Sequence, residues 1–531
     1  MEFHTYFSPH SYVVRDETSI DLNEVTDGDS FTVELYNAQN AVTTAPVVFG
    51  LPDSTFDITW PGQTALSTKA ELEANPLTIP AYNQVTVTVT FREAKQDSSD
   101  SGLTFSWGDA SIPVEFTRYY LVKEKPQRDM VEVIEFKTDV AEAWDGTEKR
   151  TRVRANPRST VKQDFLVSGD DRQAGISLQA KMMALPGRTA KVVAWHREQA
   201  VASSSATIDG RALTVSGALE PELAALDTGD RVWYRIPSTG NLGSGVTSRG
   251  STTTTLYLDP ILGYDYATNV NAGDVSLLPT TSSYMREKPS VKLFPSGATS
   301  YSTEWLTPNL ETPSGNALDS STSWEDLCGS ESYQSRPVLR EGQYIRDSLK
   351  FASDSGSVWF DQTIGTVSTF NRKESSAVTF ERMFEYAYED GRVSDLRNFI
   401  HWTWGRQRSF WVPSGADDLL ILSAAADGLS ATFYGDDMGL LAPLLDGYSH
   451  LEADFGNGTR KRAQVTGQDS DGTNVTLTFG SAFVTSADLA SYPNMTVSFL
   501  YHVRLGSDKV KIQYDGTEAV SCRINVVTVK Q

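Results

Sequence analysis

Val291-Lys292-Leu293, followed by Gly297, Tyr301 and Ser302, is answered near the end of the chain by Val510-Lys511-Ile512, followed by Gly516, Val520 and Ser521. The internal spacing is the same in both, and Val510 stands 219 positions after Val291. That offset also pairs Val246-Thr247 and Ser251 with Val465-Thr466 and Ser470, Leu226-Asp227 with Leu445-Asp446, and Phe165 with Phe384. It drifts by one at Gly187-Arg188, which precedes a Trp-containing strand as Gly405-Arg406 precedes Phe410-Trp411. A shared offset over roughly a third of a chain is the mark of an internal repeat, and it predicts two diverged copies of one unit.

Bulk composition bounds what such a chain does. At 531 residues it is long enough for about three or four domains. The 68 acidic residues outnumber 46 Lys and Arg, leaving a net charge of −22 that repels phosphate backbones. No basic and apolar leader opens the sequence, and no apolar run has the length of a membrane span, so the expectation is a protein with neither a secretory signal nor a membrane span. Cys328 and Cys522 are the only cysteines, which leaves no disulfide framework and no Cys-based zinc site.

Residues 1–125 alternate short strands with turns, as at Phe31 to Leu35, 46–50, and the period-two run Val85 to Phe91. The spacing predicts an immunoglobulin-like β-sandwich of seven strands, without the Cys-Trp-Cys signature of antibody domains. Lys123 to Asp129 is charged and holds Pro126, which predicts a linker. The first unit then occupies 126–307 and the second 351–531. Each is expected to carry one flanking helix: Asp170 to Leu185, with Ile176, Leu178, Met182, Met183 and Leu185 on one side, and Gly391 to Trp404, with Leu396, Phe399, Ile400 and Trp404. Each also carries a β-rich insertion, at about 197–283 and about 427–500, whose alternation predicts a small β-barrel. Residues 308–350 are rich in Ser, Thr, Pro, Asn and Asp and predict an extended linker arm lying over the surface or over a neighbouring subunit.

Chemistry-bearing patterns are scarce. The six His stand at no helical ligand spacing, and H-E-x-x-H, C-x-x-C, a phosphate loop and G-x-S-x-G are all missing. Asp417-Asp418 and Asp436-Asp437 lack a calcium-loop context and read as solvated turns. No catalytic residue, cofactor or metal is expected. Sugar stacking would fall to Trp233, Tyr234, Tyr257 and Trp305, residue types that more often serve core packing.

The order strand, strand, helix, strand, with Thr138-Asp139-Val140, Asp145 to Arg150 and Pro157-Arg158 in the first copy and Gly405 to Gly415 in the second, resembles tail proteins of long-tailed (siphovirus-like) bacteriophages, of the distal tail or baseplate hub class. The resemblance covers about 131–200 and 355–425. It implies two tail-tube-like β-sandwich units, each with one flanking helix, whose sheets pair side by side in a ring around a channel; the amino-terminal sandwich, which is not part of the pattern, precedes them in a mainly β chain. It implies a structural virion protein, not an enzyme, that is assembled in the host cytoplasm, joins tube to tail tip, and lets DNA pass during ejection. Partners would be the tail tube protein, other tail-tip, hub or fibre proteins, and the chain itself. Two units per chain let a trimer present six quasi-equivalent units, and a hexamer is the competing stoichiometry. Two other readings fit a β-rich chain: a carbohydrate-binding or depolymerase tail protein, and a non-viral surface adhesin or layer protein.

Overall fold

The computed structural model describes residues 13–14, 20–26, 30–37, 43–45, 56–66, 68–91, 100–107, 110–126, 129–143, 147–167, 182–183, 185–187, 189–200, 206–209, 212–215, 231–236, 241–249, 254–258, 275–294, 298–308, 332–340, 352–354, 357–360, 368–371, 377–387, 392–435, 449–515 and 519–530. It is mainly β, in several sheets, and divides into two compact units. The first holds Met1–Gln127 and Gln163–Thr307, and the second holds Arg128–Lys162 and Pro308–Gln531. Residues 128–162, which the sequence groups with the first repeat, therefore pack with the carboxy-terminal half.

In the first unit, Ser30–Asn37 and Gln84–Phe91 pair antiparallel between Val13–Val14 and Phe56–Thr59. Val87 and Val89 bury alternate positions of that ladder, as a period of two requires. A short helix, Lys69–Ala74, starts on a capping box formed by Thr68 and Glu71. Ala110–Val122 runs parallel to Ile20–Thr26 and continues alongside Thr189–Val193, where Tyr120 stands opposite Ala190. The charged segment after it is held down, because the Lys123 and Lys125 ammonium groups sit 5.9 and 5.7 Å from the Trp233 and Trp195 ring centres. Leu185, Phe165, Tyr301 and Trp305 form the core beneath. Most of the helix expected at 170–185 lies outside the described residues; Met182 is buried but Met183 is 65% exposed, so the two do not share a face.

The inserted sheet of this unit has seven strands in the order Gln199–Ala200, Ser276–Leu278, Arg231–Ile236, Asn241–Arg249, Thr254–Leu258, Ala212–Val215, Ala206–Asp209. No pairing among the described residues joins its two ends, so it is an open sheet where a barrel is expected. Closure needs a particular strand tilt and register stagger, which the alternation of apolar residues does not specify.

Among the described residues, the second insertion is built on six strands. Its strands run Ile421–Ala424, Ser430–Tyr434, Asn474–Phe479, Arg460–Ser470, His450–Asp454, Thr496–Leu505. Arg460–Ser470 shifts register between Val465 and Gly467 and so serves two sheets around a core that includes Phe433, Leu451, Leu477 and Val497. The ladder again stays open. Asp418 donates its N–H to the Val497 carbonyl at 2.9 Å, while the Val497 and Phe499 N–H groups are accepted by the Asp417 and Asp418 carboxylates at 3.1 and 2.8 Å. Asp417-Asp418 is thus a pair of backbone acceptors at a strand edge. Asp436 and Asp437 lie outside the described residues.

Pairing registers repeat along the chain. Thr189↔Tyr284 and Val193↔Thr280 recur as Ser409↔Arg504 and Pro413↔Leu500, each residue 220 positions on. Val133↔Thr160 and Thr138↔Arg152 recur as Ala352↔Thr379 and Ser357↔Asn371, each 219 positions on. In the closing hairpins Val291 opposes Tyr301 and Ile512 opposes Cys522, each 221 positions on. By strand pairing, then, Val291 corresponds to Ile512 and not to Val510. A displacement of two residues leaves every side chain on its original face, which is why the apolar pattern still matched.

Candidate assembly site

Met130–Glu135 is flanked on both edges. Val133 stands opposite Thr160 on one side and Lys511 on the other, so a strand from the first repeat joins the hairpin that closes the second. Alternation turns Met130, Glu132 and Ile134 inward, and Glu132 is fully buried. A lone carboxylate there would be very costly. It is satisfied instead: Arg397 Nη2 donates at 2.6 Å, Tyr514 Oη at 3.1 Å and Ser159 Oγ at 3.1 Å. Arg397 comes from the helix Arg392–Thr403, whose Leu396, Phe399 and Ile400 are buried as the sequence spacing predicts.

Just before Lys509–Asp515, Asp508 gathers the segments at 136–138 and 405–406. Its Oδ2 accepts the Thr138 N–H at 2.8 Å, its Oδ1 the Arg406 N–H at 3.0 Å, and its carbonyl the Phe136 N–H at 2.8 Å. Burial raises the Asp508 carboxyl, but the two N–H donors and the Arg406 guanidinium outweigh it and hold the group below the ordinary carboxylate range. Gly405 adopts φ +64, and a Cβ there would lie 2.5 Å from Asp508 Oδ1 and 2.8 Å from Phe136 Cβ. Only glycine fits so close a crossing. Arg152 stacks its guanidinium 3.3 Å from the centre of the Trp404 ring.

A second cluster receives part of the arm. Ser332–Tyr333 and Arg336–Pro337 form a tight hairpin through Gln334 and Ser335, both at positive φ. Val338 and Leu339 are fully buried, and the Leu339 N–H donates to the Trp411 carbonyl at 2.8 Å. Tyr333 packs edge-on against Trp411 and its hydroxyl meets His450 Nδ1 at 2.9 Å; burial pushes that phenol up to about 12. Arg336 Nη1 donates to His502 Nε2 at 2.9 Å, which places the ring proton of neutral His502 on Nδ1. Burial, with the Arg336 charge beside it, lowers His502 to about 3. Glu452 takes Arg340 and Arg462, and Glu148 takes Arg504 in a two-pronged pair at 2.8 and 2.7 Å. The described part of the arm, residues 332–340, therefore docks on its own chain.

Of the four aromatics considered for sugar stacking, Trp233, Tyr234 and Tyr257 belong to the inserted seven-stranded sheet and Trp305 to Thr299–Thr307. Trp305 and Tyr234 are 1% exposed and Trp233 is 7% exposed, so none offers a ring face to a sugar. Tyr257 lies in Thr254–Leu258, and its side chain is outside the described residues. Among the described residues no group of His, Cys, Asp and Glu could hold a metal ion, and no helix is long and apolar enough to cross a membrane. Sequence reasoning passed over Glu132. The signal was available, since Met130-Val131-Glu132-Val133-Ile134 puts a charge on the apolar face of a strand.

No protein-family model matches the chain, and no curated protein matches it. Among solved structures, domains 4–9 of the surface layer protein SbsC align over 97% of this chain at 10% identity and a TM-score of 0.14, which carries no argument about fold or function. The chain spans 64% of that structure's length.

Proposed function

We propose that the protein is a structural virion component at the distal end of a phage tail tube, forming a ring that joins tube to tail tip and lets DNA pass. The observation that carries this reading is the edge-to-edge pairing of Met130–Glu135, from one repeat, with Lys509–Asp515, from the other. The recurring registers at offsets of 219 to 221 support reading the chain as two tube-like units. A unit that joins its neighbour through backbone edges is suited to closed rings. The net charge of −22 suits a conduit that does not hold DNA. Tube and tail-tip proteins are the partners on this reading, and the role is mechanical, without catalysis. Native mass spectrometry with negative-stain imaging tests it: a trimer or hexamer appearing as rings is expected. A chain that stays monomeric at tens of micromolar, or forms open filaments alone, overturns it.

A further inference from the structure

The junction described above has two unfilled counterparts. Lys509–Asp515 is bordered by Ala519–Thr528 on one edge and by Met130–Glu135 on the other. Its counterpart by register, Ser290–Leu293, is bordered by Thr299–Thr307 and, among the described residues, by nothing on the other edge. All four of its residues are exposed, with Val291 at 41% and Leu293 at 76%. Conversely, Met130–Glu135 has two partners, whereas its counterpart Ala352–Asp354 pairs with Ala377–Ala387 and, among the described residues, with no second strand. Among the described residues, Ser290–Leu293 has no incoming strand and Ala352–Asp354 has no second strand to receive it.

We infer that Ala352–Asp354 of one chain adds to the edge Ser290–Leu293 of a second copy, repeating between chains the junction that Met130–Glu135 makes within one. The register follows from the repeats. Val133 opposes Lys511 and Glu135 opposes Lys509 within the chain. Shifting the first residue of each pair by 219 and the second by 221 sets Ala352 against Ser290 and Asp354 against Lys288. The charges are preserved. Glu135 and Lys509 form an ion pair at 3.5 Å, and Asp354 with Lys288, which is exposed, repeats it with the same polarity.

The glycine at the crossing agrees independently. A Cβ on Gly405 would strike Phe136 and Asp508, which belong to the incoming strand's end and to the receiving hairpin. Gly187, its counterpart, holds φ +80 with no described atom within 4 Å of such a Cβ. The left-handed glycine is kept where, among the described residues, no incoming chain stands, and Glu287, exposed, stands at the position of Asp508. Because donor and acceptor edges differ, the contact is head-to-tail and propagates until it closes. The inference rests on the ring reading for closure only; the contact itself rests on the registers.

The test uses the full chain in a Cys328→Ser background, since Cys522 is buried. Chains carrying Ser290→Cys alone are mixed with chains carrying Ala352→Cys alone and oxidised. Opposed residues of an antiparallel pair lie about 4.5–5.5 Å apart at Cα, within reach of a disulfide. A cross-linked pair of chains in the mixture, and not in either variant alone, is expected. Independently, Lys288→Glu should weaken assembly by about tenfold, and adding Asp354→Lys should restore it. Rings without the cross-link and without charge rescue overturn this contact while leaving the ring reading in place. Cross-linked open chains without rings keep the contact and overturn the ring. A monomer with no cross-link overturns both.

Discussion

Replacing Arg397 with methionine removes the cation from the Glu132 site while keeping a long apolar stem. Glu132 is 0% and Arg397 5% exposed, and their atoms meet at 2.6 Å. Breaking a buried pair by removing one partner costs about 3–5 kcal/mol. Tyr514 and Ser159 still donate to the carboxylate, so the lower end, about 3 kcal/mol, is expected. At about 2–4 °C per kcal/mol for a unit of this size, the melting temperature should fall by roughly 6–12 °C. Urea unfolding at pH 7, followed by Trp fluorescence, measures the free energy directly. The double variant Glu132→Leu with Arg397→Met removes both charges and should recover at least half of the loss. A loss under about 1 kcal/mol at pH 7, or a double variant no better than the single, refutes the reasoning.

Gly405→Ala forces a side chain into a left-handed position and against Asp508 and Phe136, so a loss of about 2–4 kcal/mol is expected by thermal scanning, whereas Gly187→Ala should cost only about 1 kcal/mol. His502 is lowered to about 3 by burial and Arg336. The unfolded chain binds its proton first, so its contribution is complete above about pH 6.5 and declines as pH falls toward 3, by up to about 1.4 kcal/mol per pH unit. Stability against pH in His502→Gln should lack that decline. Asp418→Ala strips the acceptor from the Phe499 N–H and should cost about 0.5–1.5 kcal/mol in urea, while Asp418→Asn, which keeps an acceptor oxygen, should cost markedly less.

Local signals survived the passage from sequence to structure. The 3.6-residue spacing of Leu396, Phe399 and Ile400 marked the buried face of a helix, and the alternation at Val85 to Phe91 marked a strand. Thr68 and Glu71 spell a capping box that was legible and went unread. Relations between distant segments did not survive. Nothing near Met130 announces that it pairs with Tyr514, because edge pairing uses backbone groups that every residue carries. The match of Val291 with Val510 was two residues out of register for a related reason: a period of two tolerates even slips. Barrel closure failed as an expectation because alternation reports which face is buried and not whether the first and last strands meet.

The pairing of Glu135 with Lys509 spans 374 positions of the chain. At about 5–20 residues per second, a ribosome needs roughly 20–75 seconds to deliver the second strand after the first. Throughout that wait Met130–Glu135 is an apolar ribbon in search of an edge, the kind of segment that seeds aggregation. Glu132 guards it. Until Arg397 and Tyr514 have been synthesised, any wrong partner must bury a carboxylate that lacks its cation, and first the helix Arg392–Thr403 and then the strand Lys509–Asp515 supply the groups that release the block.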